Sequence, residues 1–389
     1  MQRKRAVLLF VTESSGFRVG SIAKGLLDEC HRCSINLMWR EFESVCKRGP
    51  SIEPPDFLVF WGKPEKLERI FEMLPPSVPV ASVIGGTMEL PVVTVMPDPR
   101  VITDTVAGHL VEQGVRHFVY VGPRENPAGR IRGKLFESAL RKLHRDIDYR
   151  SFNCSFEERF WGGDTRRGRS LIRILSKCGR PLGLFAFNDQ TAVSCMECIA
   201  EAGLSVPREV AVVGVDDHPL YTKMFSPLTS VAIDFEEIGR RAARILFERP
   251  DEVRSRKAVH VFVEGSLVVR DSSRVRLAAD PVVSAAVAYL REHFAEPIAL
   301  ADLARKCGVS RSALSARFNE ALGEAPIQHL IRMRIEHARN LLTEGRLTVS
   351  EVAHHVGFED QAYFTRAFKK HTGTTPSAFR GKEASATKK

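Results

Sequence analysis

Two short runs in this 389-residue chain place hydrogen-bonding side chains where a strand-like pattern stops. The apolar run Leu184–Phe187 gives way to Asn188-Asp189-Gln190, which opens a helix-like pattern. The apolar run Val210–Val215 ends at Asp216-Asp217. Open α/β sheets bind ligands beyond the carboxyl ends of their strands, so Asn188 and Asp216 stand where a small molecule would be held. An amide and a carboxylate together supply donors and acceptors, a combination suited to hydroxyl-rich ligands. Asn188 or Asp189 also suits plain helix capping, with no ligand involved.

A second set lies in the last hundred residues. Arg311, Ser312, Ser315 and Ala316 form the outward face of one helix-like pattern; Asp360, Gln361, Ala362 and Arg366 form that of another. Arg and Gln make paired hydrogen bonds to guanine and adenine edges. Lys369, Lys370 and Arg380 suit phosphates. Small Ser315 and Ala316 reach only short contacts, so the second pattern is expected to carry more of the base discrimination. A solvated helix face is the bland alternative for each residue.

The elements that must position these groups differ between the two regions. From residue 5 to about 270, apolar runs alternate with amphipathic stretches. Strands are expected at Ala6–Val11, Phe57–Phe60, Val78–Val83, Val92–Val95, His117–Val121, Leu184–Phe187 and Val210–Val215. Helices are expected at Val19–Cys30, Val101–Gln113, Gly133–Leu143, Thr165–Ser176, Thr191–Ala202 and Phe235–Phe247. This alternation predicts βαβ units and parallel sheets. The polar stretch Arg270–Pro281 breaks it, and helical patterns alone follow. The predicted division is 1–272, an α/β domain; 273–283, a linker; 284–382, an all-α domain; and 383–389, a disordered basic tail.

The all-α region contains one pattern twice. Ala301–Lys306 reads as a short helix, Gly308 as a tight turn, and Ser310 as the cap of a second helix with Leu314 and Phe318 inward. Later, Ala353 is the small crossing residue, Gly357 the turn, and Glu359 or Asp360 the cap of a helix with Phe364 and Phe368 inward. This is the helix-turn-helix pattern, in which a small residue lets two helices cross closely. One long helix over 327–344 would hold both units on one side of a duplex, one turn apart.

Composition is compatible with a polyanion partner. The net charge is +10, and residues 281–389 hold 16 Lys/Arg against 11 Asp/Glu, so the smaller region has the higher charge density. With 44% hydrophobic and 27% charged residues, the chain is neither disordered nor membrane-embedded in character. The Met1–Val11 start has too short an apolar run for a signal peptide, which points to a cytoplasmic protein. Eight cysteines include two CxxC pairs, Cys30/Cys33 and Cys195/Cys198. They lie more than 160 residues apart in helical patterns and read as reduced thiols rather than a metal site. His354 and His355 lack partner ligands at suitable spacing and are not read as metal ligands. No metal or cofactor is expected. No GxSxG, Walker loop or GxGxxG occurs, so the chain is not read as an enzyme.

The run Val356-Gly-Phe-Glu-Asp-Gln-Ala-Tyr-Phe-Thr-Arg-Ala-Phe-Lys-Lys-His-Thr-Gly-Thr-Thr-Pro-Ser-Ala-Phe-Arg380, together with the earlier unit, resembles the AraC family of transcription factors. The resemblance covers about 100 residues and implies sequence-specific binding to a double-stranded DNA operator. In the first region, Phe187-Asn188-Asp189-Gln190, Val213-Gly-Val-Asp216-Asp217, Ser226–Ile233 and Ile238–Leu246 follow in an order similar to the LacI/GalR ligand-binding domain, a two-lobed periplasmic-binding-protein-like type I fold. That resemblance implies three further ligand residues and a crossover residue. Arg132 falls at the ligand-facing arginine, Trp161 at the aromatic that packs on ligand, and Phe17 in the first strand-end loop; Asp98 falls at the strand-to-helix crossover. The resemblance is looser over the first lobe, and 40–75 and 84–90 carry no recognised motif. LacI/GalR proteins also place their DNA-binding unit first, whereas here it is last and of the other type.

The combined resemblance implies a transcription regulator. A small sugar such as xylose or another pentose would bind between the lobes at Phe17, Arg132, Trp161, Asn188 and Asp216, and so change operator binding. A homodimer is implied, with RNA polymerase as a partner if the protein activates. A protein-interaction module or a sugar-processing enzyme domain is the alternative for the first region.

Overall fold

The computed structural model describes residues 6–13, 16–48, 54–143, 147–154, 164–275, 279–345 and 347–380. The chain divides into two compact units, 1–275 and 276–389.

The first unit has two lobes. The first lobe opens with β1 (Val7–Thr12), α1 (Phe17–Arg32), β2 (Asn36–Glu41), α2 (Phe42–Arg48), β3 (Phe57–Trp61), α3 (Pro64–Met73), β4 (Val80–Val83) and β5 (Val93–Pro97). The chain then crosses to the second lobe: α4 (Pro99–Glu112), β6 (His117–Gly122), α5 (Pro127–Leu143), β7 (Asp148–Asn153), α6 (Arg166–Leu175), β8 (Leu182–Ala186), α7 (Asp189–Glu201), β9 (Val210–Asp216) and β10 (Thr229–Ile233). It returns with α8 (Phe235–Glu248), α9 (Pro250–Arg254) and β11 (Val259–Val263), and crosses once more into β12 (Gly265–Val268). Each lobe has a six-stranded sheet, ordered β11-β5-β4-β3-β1-β2 and β12-β10-β9-β8-β6-β7. Among the described residues all pairings are parallel except β10 with β12.

Burial explains which strands form where. All five residues of β8 are buried, because helices cover both faces of a parallel sheet. The edge strand β2 is half exposed and has no such continuous apolar run. Helices α1 and α8 pack backbone to backbone. A Cβ at Gly25 would overlap the Glu236 carbonyl, and one at Gly239 would overlap the Ile22 carbonyl.

The first unit runs past the 272 expected from sequence. Residues 271–273 form a 3-10 turn with Ser272 and Ser273 fully buried, and Val275 belongs to the first unit's core. Pro281 already starts a helix capped by Asp280. Buried hydroxyls and a buried valine cannot remain in a solvated tether, so the first unit extends to 275. The predicted tail at 383–389 lies outside the described residues.

The second unit contains α10 (Pro281–His293), α11 (Leu300–Lys306), α12 (Arg311–Leu322), α13 (Pro326–Glu344), α14 (Val349–His355) and α15 (Gln361–Thr372). It has two cores. Leu303, Leu314 and Phe318 pack with Leu330 and Met333 of α13 in the first. Val352, Phe364 and Phe368 pack with Ile331, Ile335, Ala338 and Leu342 of α13 in the second.

Candidate functional site

Three of the expected cleft residues meet at the carboxyl edge of the second lobe's sheet. Asn188 follows β8 and caps α7, its side-chain oxygen accepting from the Thr191 N–H at 2.9 Å. Capping uses the oxygen and leaves the amide NH2 to donate elsewhere. Arg132, on α5, is only 7% exposed. Its Nη1 donates to the Phe187 carbonyl, its guanidinium lies 4.6 Å from the Phe187 ring centroid, and its Nε has no partner among the described residues. A buried, unsatisfied guanidinium nitrogen is costly unless something completes it. Asp216 ends β9 with its side chain 14% exposed and φ at 113°. Burial pushes its carboxyl up, while Arg18 and Arg132 pull it down.

Phe17 opens α1 in the first lobe and is 40% exposed. It meets His218 of the second lobe edge-on, with ring centroids 4.8 Å apart. Trp161 lies outside the described residues. Asp98 caps α4, accepting from the Arg100 and Val101 N–H groups, and so secures the first crossing between lobes.

Two neighbours were missed from sequence. Arg18 on α1 reaches across to Asp216, Nη1 to Oδ2, at 3.6 Å. The signal available was a cation one residue after Phe17 at a strand-end helix. Asp189 is fully buried; its Oδ2 accepts from the His218 N–H at 2.7 Å and its Oδ1 from the Ser230 hydroxyl at 2.6 Å. Burial first, and then the charge of Asp216, push its carboxyl up to about 8. Asn188 beside it takes the cap, which leaves Asp189 to hold the loop after β9.

The helix-turn-helix units form as their residues demand. Gly308 and Gly357 take φ of 70° and 87° at the two turns, and Ala304 and Ala353 are buried at the crossings. Ser310 caps α12 through the Ala313 N–H; Asp360 caps α15 through Ala362 and Tyr363. On α12, Arg311, Ser312 and Ala316 are exposed and Ser315 is half-buried. On α15, Gln361, Ala362, Arg366, Lys369 and Lys370 are exposed. Asp360 spends its carboxylate on the cap and stands 4.0 Å from Arg366. Tyr363, 44% exposed on the same face and not singled out from sequence, adds a hydroxyl to that surface.

The cysteine pairs sit in different lobes. Cys30 is buried on α1 with Cys33 at its end, while Cys195 and Cys198 are buried on α7. Among the described residues no three His, Cys, Asp or Glu side chains are grouped to hold a metal ion, and no helix is long and apolar enough to cross a membrane.

Comparison with known proteins supports both units. A periplasmic binding protein-like domain family matches residues 107–273, and a helix-turn-helix domain family matches 303–382. These modules in this order support a DNA-binding transcription regulator that resembles the AraC family in its reader and carries a periplasmic-binding-protein-like domain ahead of it. Within that class it resembles the xylose operon regulatory proteins. The one from Escherichia coli (strain K12) is 28% identical over 316 residues, covering 78% of this chain and 79% of that protein. The arabinose operon regulatory protein of Salmonella typhimurium (strain LT2) is 38% identical over 102 residues, covering 26% of this chain and 36% of that one. The solved structure of the xylose-binding transcription activator xylR shares the fold over 98% of this chain and 99% of that one, with TM-score 0.59 and 23% identity.

Proposed function

We propose that a small sugar, with xylose or another pentose as the first candidate, binds between the two lobes of the first unit and controls operator binding by the second. The observation that carries this reading is Arg132: a buried guanidinium with its Nε unpartnered among the described residues, beside Asn188 and Asp216 at the strand ends. Sugar hydroxyls would accept from Arg132 and the Asn188 amide and donate to Asp216. Phe17, with Trp161, would cover an apolar ring face. The ligand acts by its differential affinity for open and closed lobes, without being turned over. The relatives' association with xylose operons favours the pentose.

On the DNA side, Arg311 and Ser312 of α12 and Gln361, Ala362 and Arg366 of α15 would enter the major groove, with Lys369 and Lys370 on phosphates. Ser315, half-buried, and Ala316 would give shorter contacts, and Asp360 would act chiefly by capping α15. The regulator would work as a homodimer in the cytoplasm, touching RNA polymerase if it activates.

A thermal-shift series of monosaccharides against the full chain tests this. A melting temperature that rises with the logarithm of D-xylose or another pentose concentration is expected. No shift with any monosaccharide would sink the sugar assignment.

A further inference from the structure

The turn that presents Asp216 is bound directly to the segment by which the chain leaves the first unit. Asp216 and Asp217 have φ of 113° and 53°. Non-glycine residues persist in such conformations only where their surroundings over-determine them. Here the surroundings are visible. The Asp217 N–H donates to the Ser230 hydroxyl at 3.0 Å, and that hydroxyl donates to Asp189. The Asp217 carboxylate forms an ion pair with Arg270, Oδ1 to Nη1 2.7 Å, with both side chains about three-quarters buried.

Arg270 immediately precedes the 3-10 turn Asp271–Ser273, and this stretch is sewn to β9 and to residues 227–229, which lead into β10. The Arg270 N–H donates to the Thr229 hydroxyl at 2.8 Å, and Arg270 Nη1 donates to the Leu228 carbonyl at 2.8 Å. The Ser272 N–H donates to the Pro227 carbonyl at 3.0 Å, and its hydroxyl to the Val212 carbonyl at 2.6 Å. Ser273 shares hydrogen bonds of 2.7 Å with Thr229 and with His109 of α4. Two residues later the first unit ends. One ion pair thus joins the loop bearing the cleft carboxylate to the strap leading to the reader.

We propose that the Asp217–Arg270 ion pair is the coupling element that transmits the state of the Asp216 turn to the exit segment 271–275. This rests on the cleft reading above, for the identity of the input only. A loop that shifts when Asp216 changes partner drags Asp217, and Asp217 pulls on Arg270. A semi-buried charge pair is suited to this, because separating the two charges costs far more than it would at the surface.

A double-mutant cycle in the ligand-free full chain tests the coupling without knowledge of effector or operator. Amide hydrogen exchange is read at 270–275 in wild type, Asp216→Asn, Arg270→Gln and the combination. Asp216→Asn is expected to speed exchange there by about tenfold in wild type and to add nothing once Arg270 is replaced. The charge-swapped pair D217R/R270D should restore wild-type protection, which separates loss of the ion pair from general damage. Effects that multiply independently, or exchange at 270–275 that ignores Asp216, would overturn the proposal. Failure of the sugar assignment would appear separately, as wild type whose melting temperature no monosaccharide moves.

Discussion

Arg18 and Asp216 belong to different lobes, and their side chains stand 3.6 Å apart. The carboxylate at the end of β9 thus has a cationic partner from the other lobe. In the proposed cleft an incoming hydroxyl would share Asp216 with Arg18, whose guanidinium would also donate to the ligand. Arg18→Met should weaken monosaccharide binding by roughly 10- to 100-fold, the loss expected for one charge-assisted hydrogen bond. Titration calorimetry with the sugar that shifts wild type reads this directly, and an unchanged Kd would contradict it.

Asp189 predicts a pH dependence of the first unit. Its carboxyl, pushed up to about 8 by burial and by Asp216, holds a proton in the folded state that the unfolded chain has already released. Folded Asp189 therefore binds more protons than unfolded between the ordinary value of 3.8 and about 8, and stability falls as pH rises through that window. Urea midpoints for the first unit's transition should decline across it. Asp189→Asn should flatten the decline. Equal slopes for wild type and variant would refute this origin.

Glu324 predicts the opposite sign in the second unit. Burial acts to raise its carboxyl, but hydrogen bonds from His329 and Arg332 outweigh that and hold it down at about 2. The His329 Nδ1 and Arg332 Nη2 contacts are 2.7 and 2.9 Å. Its stabilisation is present above the ordinary value of 4.5 and is lost as pH falls toward about 2. Glu324→Gln should cost about 1–3 kcal/mol at neutral pH and much less in acid. Denaturation followed by circular dichroism at several pH values provides the check.

The exposed faces of the reader predict two kinds of loss on DNA. Arg366→Ala should cost about 1–3 kcal/mol on a cognate site and relax the preference at one base pair. Lys369→Ala should weaken all sequences alike and reduce the slope of log affinity against log salt by about one. Fluorescence anisotropy on specific and scrambled duplexes distinguishes them, and identical behaviour of the two variants would argue against the assigned roles.

How far these features can be read from sequence follows from how local their causes are. Strand β8 is legible because both its faces are covered, which leaves five apolar residues in a row. Strand β2 is not, because an edge strand with exposed Trp39 breaks that pattern. Asn188 and Asp216 are legible as polar residues at strand ends. Arg18, Asp189 and Arg270 are not, because their roles depend on contacts with residues 198, 41 and 53 positions away in the chain. The cap at Ser310 is legible, and the later cap is narrowed to Glu359 or Asp360, because capping is decided within three residues.

Helix α13 lends Leu330 and Met333 to one core and Ile331, Ile335, Ala338 and Leu342 to the other. Neither helix-turn-helix can therefore be excised whole: a cut before Pro326 strips the first of its floor, and a cut after Glu344 leaves the second without its other wall. Damage to either half is felt by its neighbour through a shared structural member. The reader should accordingly melt in a single step, and a destabilising change such as Phe364→Ala should silence α12 as well as α15.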